Sequence, residues 1–248
     1  MKKLLFLAAL IACTSCQFMD IEVGNGVSVD TEFDVGEFDS ISSRCSLGIV
    51  YTQTEGEPGV VLTCDENLVE YYRIEVEGGT LVVDTKNNVM MRTKAKSYVT
   101  VNSRELNGVS VSGSGNCKIT SSLITDGDVD FKVSGSGSIN AEGTVECRDF
   151  SSTISGSGRI YVAGVLADAA RFKGSGSGAT RVDLLTADTI SATLSGSGGL
   201  NLVCKDAGDI DVSISGSGSA HISGNARSLK SSTSGSGRVD SKKLDLRQ

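Results

Sequence analysis

Residues 190–202 read Ile190-Ser191-Ala192-Thr193-Leu194-Ser195-Gly196-Ser197-Gly198-Gly199-Leu200-Asn201-Leu202. On each side of the Ser-Gly-Ser-Gly centre, apolar and polar residues alternate. Period-two alternation marks a strand with one buried face. The centre recurs. SGSG occurs seven times, with its first serine at Ser112, Ser134, Ser155, Ser175, Ser195, Ser215 and Ser234, at spacings of 22, 21, 20, 20, 20 and 19. A period near 20 residues points to stacked supersecondary units. A flexible Gly/Ser linker would lack the patterned flanks.

Aligning the copies on the first serine separates two kinds of column. Positions five, three and one before it, and five and seven after it, are apolar in 28 of 35 cases; the exceptions are Asn107, Ser152, Ser231, Gly174, Thr233, Thr180 and Ser241. The intervening positions four and two before, and six after, hold no aliphatic residue; they include Asp130, Lys132, Arg171, Lys173, Asp211, His221 and Lys230. The inward face therefore recurs in phase with one shared corner. A parallel β-helix requires this, whereas a sandwich of hairpins does not. The LxxLxL spacing of leucine-rich repeats is absent. A coil of 20 residues at ~3.3 Å each has a perimeter near 66 Å, and seven coils at ~4.8 Å rise about 34 Å. Right-handed coiling is the default for parallel connections. The fold expected is all-β: a right-handed parallel β-helix over residues 104–248, preceded by a smaller β-rich module at 28–103.

The corner itself is read as a structural ladder made of Ser112-Gly113, Ser134-Gly135, Ser155-Gly156, Ser175-Gly176, Ser195-Gly196, Ser215-Gly216 and Ser234-Gly235. Glycine supplies a positive φ cheaply. Small residues let coils stack, and serine hydroxyls are expected to bond the coils above and below. No GK[ST] follows any copy, which argues against a phosphate loop. Gly174 stands where other coils carry a larger residue, so that coil is expected to pack loosely.

Residues 28–103 lack the tetrapeptide. Strand-like runs occur at 45–52, 60–64, 74–76, 81–84 and 98–101, with turn signals at Glu57-Pro58-Gly59, Glu77-Gly78-Gly79 and Lys86-Asn87-Asn88, and a helical turn at 67–72. This module is placed to cover the open end of the stack, where unpaired amides would otherwise face solvent.

The N-terminus reads as an address. Met1-Lys2-Lys3 is a basic start, residues 4–12 are apolar, and Ala12-Cys13-Thr14-Ser15-Cys16 follows. The run is too short to span a bilayer and has the form of a signal peptide. It resembles a bacterial lipoprotein signal, with Cys16 as the lipidated residue and Cys13 as the alternative. Residues 1–16 are then leader and 17–27 a tether. Plain secretion without lipid is the bland alternative. The net charge of −7 becomes −9 once residues 1–15 and their two lysines are removed. Such an acidic balance argues against nucleic acid, and against anionic lipid, as a partner.

The order of landmarks carries a resemblance. Val35-Gly36-Glu37-Phe38-Asp39-Ser40-Ile41 precedes Val50-Tyr51-Thr52-Gln53. Cys64-Asp65-Glu66-Asn67-Leu68, the Gly78-Gly79-Thr80-Leu81 turn and Leu106-Asn107-Gly108-Val109-Ser110-Val111 then lead into SGSG. This order resembles the auto-transporter adhesin head family, also called the GIN domain, over residues 30–245. The resemblance implies a right-handed parallel β-helix on envelope lipoproteins of Bacteroidetes. It implies no catalytic residue, and "adhesin" in that family rests on analogy.

Chemistry is sparse in the remaining residues. After Cys16, five cysteines remain, at Cys45, Cys64, Cys117, Cys147 and Cys204. Their phases within the repeat differ, so no bridge is expected inside the solenoid, while a Cys45–Cys64 pair is left open. Cys117 reads as a small buried hydrophobe. Among these five cysteines no CxxC or other zinc spacing occurs, and the acidic pairs Asp65-Glu66 and Asp126, Asp128 match no calcium loop. No metal and no cofactor are expected. His221 stands alone on an outward column. The function expected is a non-catalytic, lipid-anchored envelope protein that contacts a surface protein or glycan through its faces. The alternative is a polysaccharide lyase or hydrolase, which requires clustered carboxylates on one face. A subunit that stacks end to end is a weaker third reading.

Overall fold

The computed structural model describes residues 20–86 and 89–247. The leader with Cys13 and Cys16, and the Asn87-Asn88 part of one expected turn, lie outside the described residues. The strands are β1 (Asp20–Val23), β2 (Ser28–Phe33), β3 (Ser40–Ser43), β4 (Gly48–Gln53), β5 (Gly59–Asp65), β6 (Tyr72–Glu77), β7 (Thr80–Thr85), β8 (Val89–Arg92) and β9 (Tyr98–Ser103). They continue with β10 (Gly108–Gly113), β11 (Asn116–Ile119), β12 (Leu123–Ile124), β13 (Val129–Gly135), β14 (Ser138–Glu146) and β15 (Asp149–Gly156). Then come β16 (Arg159–Gly176), β17 (Ala179–Gly196), β18 (Gly199–Gly216), β19 (Ser219–Gly235) and β20 (Arg238–Leu246). In the upper solenoid each winding is one long bent strand, interrupted where the tetrapeptide turns.

The windings are parallel and in register. Ser112 pairs with Ser134, then Ser155, Ser175, Ser195, Ser215 and Ser234; Gly113, Gly135, Gly156, Gly176, Gly196, Gly216 and Gly235 pair in the same order. All seven corners thus stack along one edge. The parallel β-helix is the observed architecture. The N-terminal module supplies a winding of its own, because β3 and β4 pair in parallel with β10 and β11. Below it, β7 and β9 continue the stack, and β5 and β6 pair with them antiparallel. The expected helical turn is a 3₁₀ helix at Glu66–Tyr71, and its Leu68 is fully buried at this end.

The inward columns are buried. Val109, Phe131, Phe172, Val212, Ile139, Ile160, Leu200, Val162 and Leu202 are each no more than 1% exposed. Fully burying such a side chain contributes ~1.5–3 kcal/mol. The polar exceptions are accommodated. Ser152 pairs with Phe131 below and Phe172 above, and its small side chain leaves room for Phe150 in the next column. The Phe131 and Phe150 rings meet edge to face at 5.5 Å, and the Phe150 and Phe172 rings lie 6.0 Å apart. The buried Ser152 Oγ and Thr180 Oγ1 are 3.3 Å apart and hydrogen-bond each other.

One expectation of packing is corrected. The coil with Gly174 is not loose: Leu194, in register above, fills the space, and a Cβ on Gly174 would come within 2.8 Å of Leu194 Cδ2. Gly174→Val should therefore destabilise by ~1–3 kcal/mol through overpacking. Adding Leu194→Val should recover part of that loss, and urea unfolding of the two single variants and the double variant measures the coupling.

The pairing left open between Cys45 and Cys64 is not formed: both are free thiols, as are Cys117, Cys147 and Cys204. Cys45 Sγ faces the Val83 carbonyl and Cys64 Sγ the Asp65 carbonyl, so each donates to its own acceptor. Cys117 is 1% exposed and sits in register between Ile49 and Ile139. Burial pushes its thiol up to about 12 and those of Cys64, Cys147 and Cys204 to about 11; it also raises Cys45. A raised value means the thiol stays protonated near neutral pH, and the thiolate is the nucleophile. Alkylation of the native protein at pH 8, read by mass spectrometry, should leave Cys64, Cys117, Cys147 and Cys204 unmodified until denaturant is added.

Candidate interaction surface

The tetrapeptide's two glycines do different jobs. The first adopts φ between +106° and +125° in all seven copies. The second carries no positive φ; it is inward and pressed against the winding below. A Cβ on Gly158 would stand 2.3 Å from Val133 Cγ1 and 2.6 Å from the Gly137 oxygen. The bonds that join windings here are backbone ones, such as Ser157 N–H to Gly135 O at 2.8 Å and Ser177 N–H to Gly156 O at 2.9 Å. The expected ladder of serine hydroxyls is replaced by this amide ladder. Among the corner serines of the described residues, the Ser112 hydroxyl reaches across to the Ser43 carbonyl at 3.4 Å. The others, from Ser134 to Ser234, are exposed at the rim. The corner is thus a scaffold edge of bare backbone.

The strands before the corner present the most uniform outer face. Its columns run Ser42, Ser110, Lys132, Thr153, Lys173, Thr193, Ser213 and Ser232, and alongside them Asp130, Ser151, Arg171, Ser191, Asp211 and Lys230. Two shallow grooves lie on this face. One, of about 400 Å³, is lined by Ser42, Arg44, Thr80, Ser110, Asp130 and Lys132. The other, of about 360 Å³, is lined by residues including Arg171, Ser191, Asp209, Asp211 and Lys230.

Charges on the faces meet opposite charges. Lys132 pairs with Asp130, Arg171 with Asp149 at 2.8 Å, and Arg148 with Asp128 at 2.9 Å. Arg227 pairs with Asp209 at 3.1 Å, Lys118 with Glu142 at 3.0 Å, and Arg181 with Asp183 at 2.5 Å. The Ser228 hydroxyl bonded to Asp209 holds that carboxyl below its ordinary value, aided by Arg227. Exposed pairs of this kind contribute little to stability, ~0–1 kcal/mol. Their effect is to keep these parts of the faces polar with most of their charges paired. The lone His221 sits 3.5 Å from Asp240, on the opposite side of the corner from the grooves. Among the described residues, no group of three or more His, Cys, Asp or Glu side chains is placed to hold a metal ion. None of their helices is long and apolar enough to cross a membrane.

A family model described as "Putative auto-transporter adhesin, head GIN domain" matches residues 37–226. No curated protein matches the chain. Among solved structures, a "putative adhesin" from Parabacteroides merdae is 21% identical with a TM-score of 0.76, over 90% of this chain and 99% of that one. A "putative adhesin" from Bacteroides fragilis is 22% identical at a TM-score of 0.71, over 88% and 99%. A "putative lipid binding protein" from Parabacteroides distasonis is 24% identical at a TM-score of 0.71, over 90% and 99%. At such identities the likeness to these structures concerns the fold.

Proposed function

Because the chain belongs to the auto-transporter adhesin head, GIN domain family, we propose that it is a non-catalytic envelope protein that holds a surface protein or glycan on its pre-corner face. The observation that carries this reading is the alignment of both grooves on that one face, amid columns of Ser, Thr, Asp, Arg and Lys. Short hydroxyls and paired charges on a rigid parallel sheet suit hydrogen bonding to a polar partner. Each carboxylate there has a cation beside it, which suits binding better than acid-base chemistry.

A glycan array and a pull-down with the mature chain test the reading. Lys132→Glu with Arg171→Glu should abolish the captured signal, while Asn140→Arg, on the face beyond the corner, should leave it intact. Release of cleaved glycan would overturn the non-catalytic reading, and equal binding by all variants would remove the chosen face.

The anchor belongs to the same proposal. Cys16 carries the lipid, with Cys13 as the alternative. Palmitate labelling in cells should be lost in Cys16→Ser and kept in Cys13→Ser. The reverse result moves the anchor to Cys13, and labelling unaffected by either change removes it.

A further inference from the structure

The chain segment that follows the anchor is not free. Strand β1 pairs in parallel with β8, matching Ile21 to Met90 and Val23 to Arg92. Gly24 N–H continues the pairing to the Arg92 carbonyl at 2.9 Å. A buried carboxylate then locks this ribbon onto the body. Asp65 is 0% exposed; its Oδ1 accepts from Gly26 N–H at 2.7 Å and its Oδ2 from Lys94 and Ala95 N–H at 2.9 and 3.0 Å. Burial alone would raise its pKa, but the three amides and Lys94 hold it below the ordinary carboxylate value.

The ribbon has two unlike sides. Glu22 and Met91 are half-buried, and Met91 packs against the core. The other side shows Ile21, Val23 and Met90 at 62%, 44% and 50% exposure, with Val27 nearby in sequence at 52%. Four of the eight large hydrophobic side chains most exposed among the described residues are therefore in this one segment pair. The surroundings are also charged against the trend of the molecule. Residues 86–96 hold Lys86, Arg92, Lys94 and Lys96 and no acidic residue, in a chain of net charge −7. All four are exposed.

We propose that this face is a membrane-contact site, taking the headgroups and upper acyl region of a bilayer that contains anionic phospholipid. Exposed apolar side chains with basic residues close by in the chain are a composition that settles at such an interface. Where the chain outside the structure ends fixes the choice of occupant. Ile21 lies five residues after Cys16, a reach of at most about 18 Å at ~3.6 Å per residue. A lipid on Cys16 thus keeps the ribbon beside the bilayer, and the ribbon gives the single tether a second point of hold. The solenoid then stands with its N-terminal end towards the lipid. This inference rests on the anchored reading for its geometry, but its test does not need the lipid.

The chain has no tryptophan, so Met90→Trp creates a unique reporter. The mature chain from Gln17, without lipid, contains every described residue of the single continuous core. Added to phosphatidylethanolamine vesicles containing phosphatidylglycerol, the Met90→Trp variant should show a blue shift in its indole emission, which brominated lipid quenches. Leu166→Trp, exposed in the middle of the stack and several windings above the ribbon, should show neither effect. Lys86→Glu with Arg92→Glu should weaken vesicle binding by about tenfold or more, since each basic residue near an anionic surface contributes ~1 kcal/mol. An unmoved Met90→Trp emission in a folded chain overturns the proposal. So does a shift that follows protein concentration without vesicles, which would make a second copy the occupant. Palmitate labelling that neither cysteine change affects would sink the anchor alone, because this assay uses lipid-free protein.

Discussion

Alanine at Gly156 is expected to lower the unfolding free energy by about 3 kcal/mol. Two costs add. Its φ of +125° belongs to a region that side-chain-bearing residues rarely enter, at ~1–3 kcal/mol. A Cβ there would also stand 2.6 Å from the Gly135 oxygen, an overpacking cost of similar size. The neighbouring variants Ser155→Ala and Ser157→Ala should fall within ~0.5 kcal/mol of the parent, since both side chains are exposed. Urea midpoints at equal slope read the comparison. Equal losses for serine and glycine would show that hydroxyls, not backbone amides, hold the windings together.

Phe150→Ala is the second large loss expected, at ~3–5 kcal/mol, because it removes the middle ring of three and leaves a cavity. Windings in a solenoid contact only their neighbours, so the damage should stay local. Hydrogen exchange should quicken first in β13, β15 and β16, while β18 and β19 keep their protection. Phe150→Leu, which refills most of the volume, should cost less. A uniform rise in exchange along the whole stack would contradict nearest-neighbour coupling.

Much of the fold was legible in the sequence because the solenoid repeats its physics. Alternation around SGSG placed the inward columns, and a shared corner placed the windings above one another. The finer packing was not legible, because it depends on pairs from different windings. Gly174 looked like a gap until Leu194 was seen to fill it, and Ser152 is small because Phe131 and Phe172 flank it. The winding at residues 40–53 does not declare itself as a coil because its corner reads Arg44-Cys45-Ser46-Leu47. Its register with β10 and β11 shows that the coil path tolerates another corner at the bottom of the stack. The β1–β8 ribbon is hard to see in the sequence because each strand is four residues long and their partners are far apart along the chain. The alternation Asp20-Ile21-Glu22-Val23 was the signal available.

At the top, the inward positions Ser231 and Thr233 are exposed, with no described winding above them. Hydroxyls there tolerate water where valine or isoleucine would not. The ends of the described stack are thus specialised, while its middle windings share one cross-section. Inserting or deleting one whole winding, about 20 residues, would change the height of the stack by one strand spacing, about 4.8 Å, without altering its cross-section. The chain is in this sense a molecular ruler, and duplication of a single unit would adjust how far it extends.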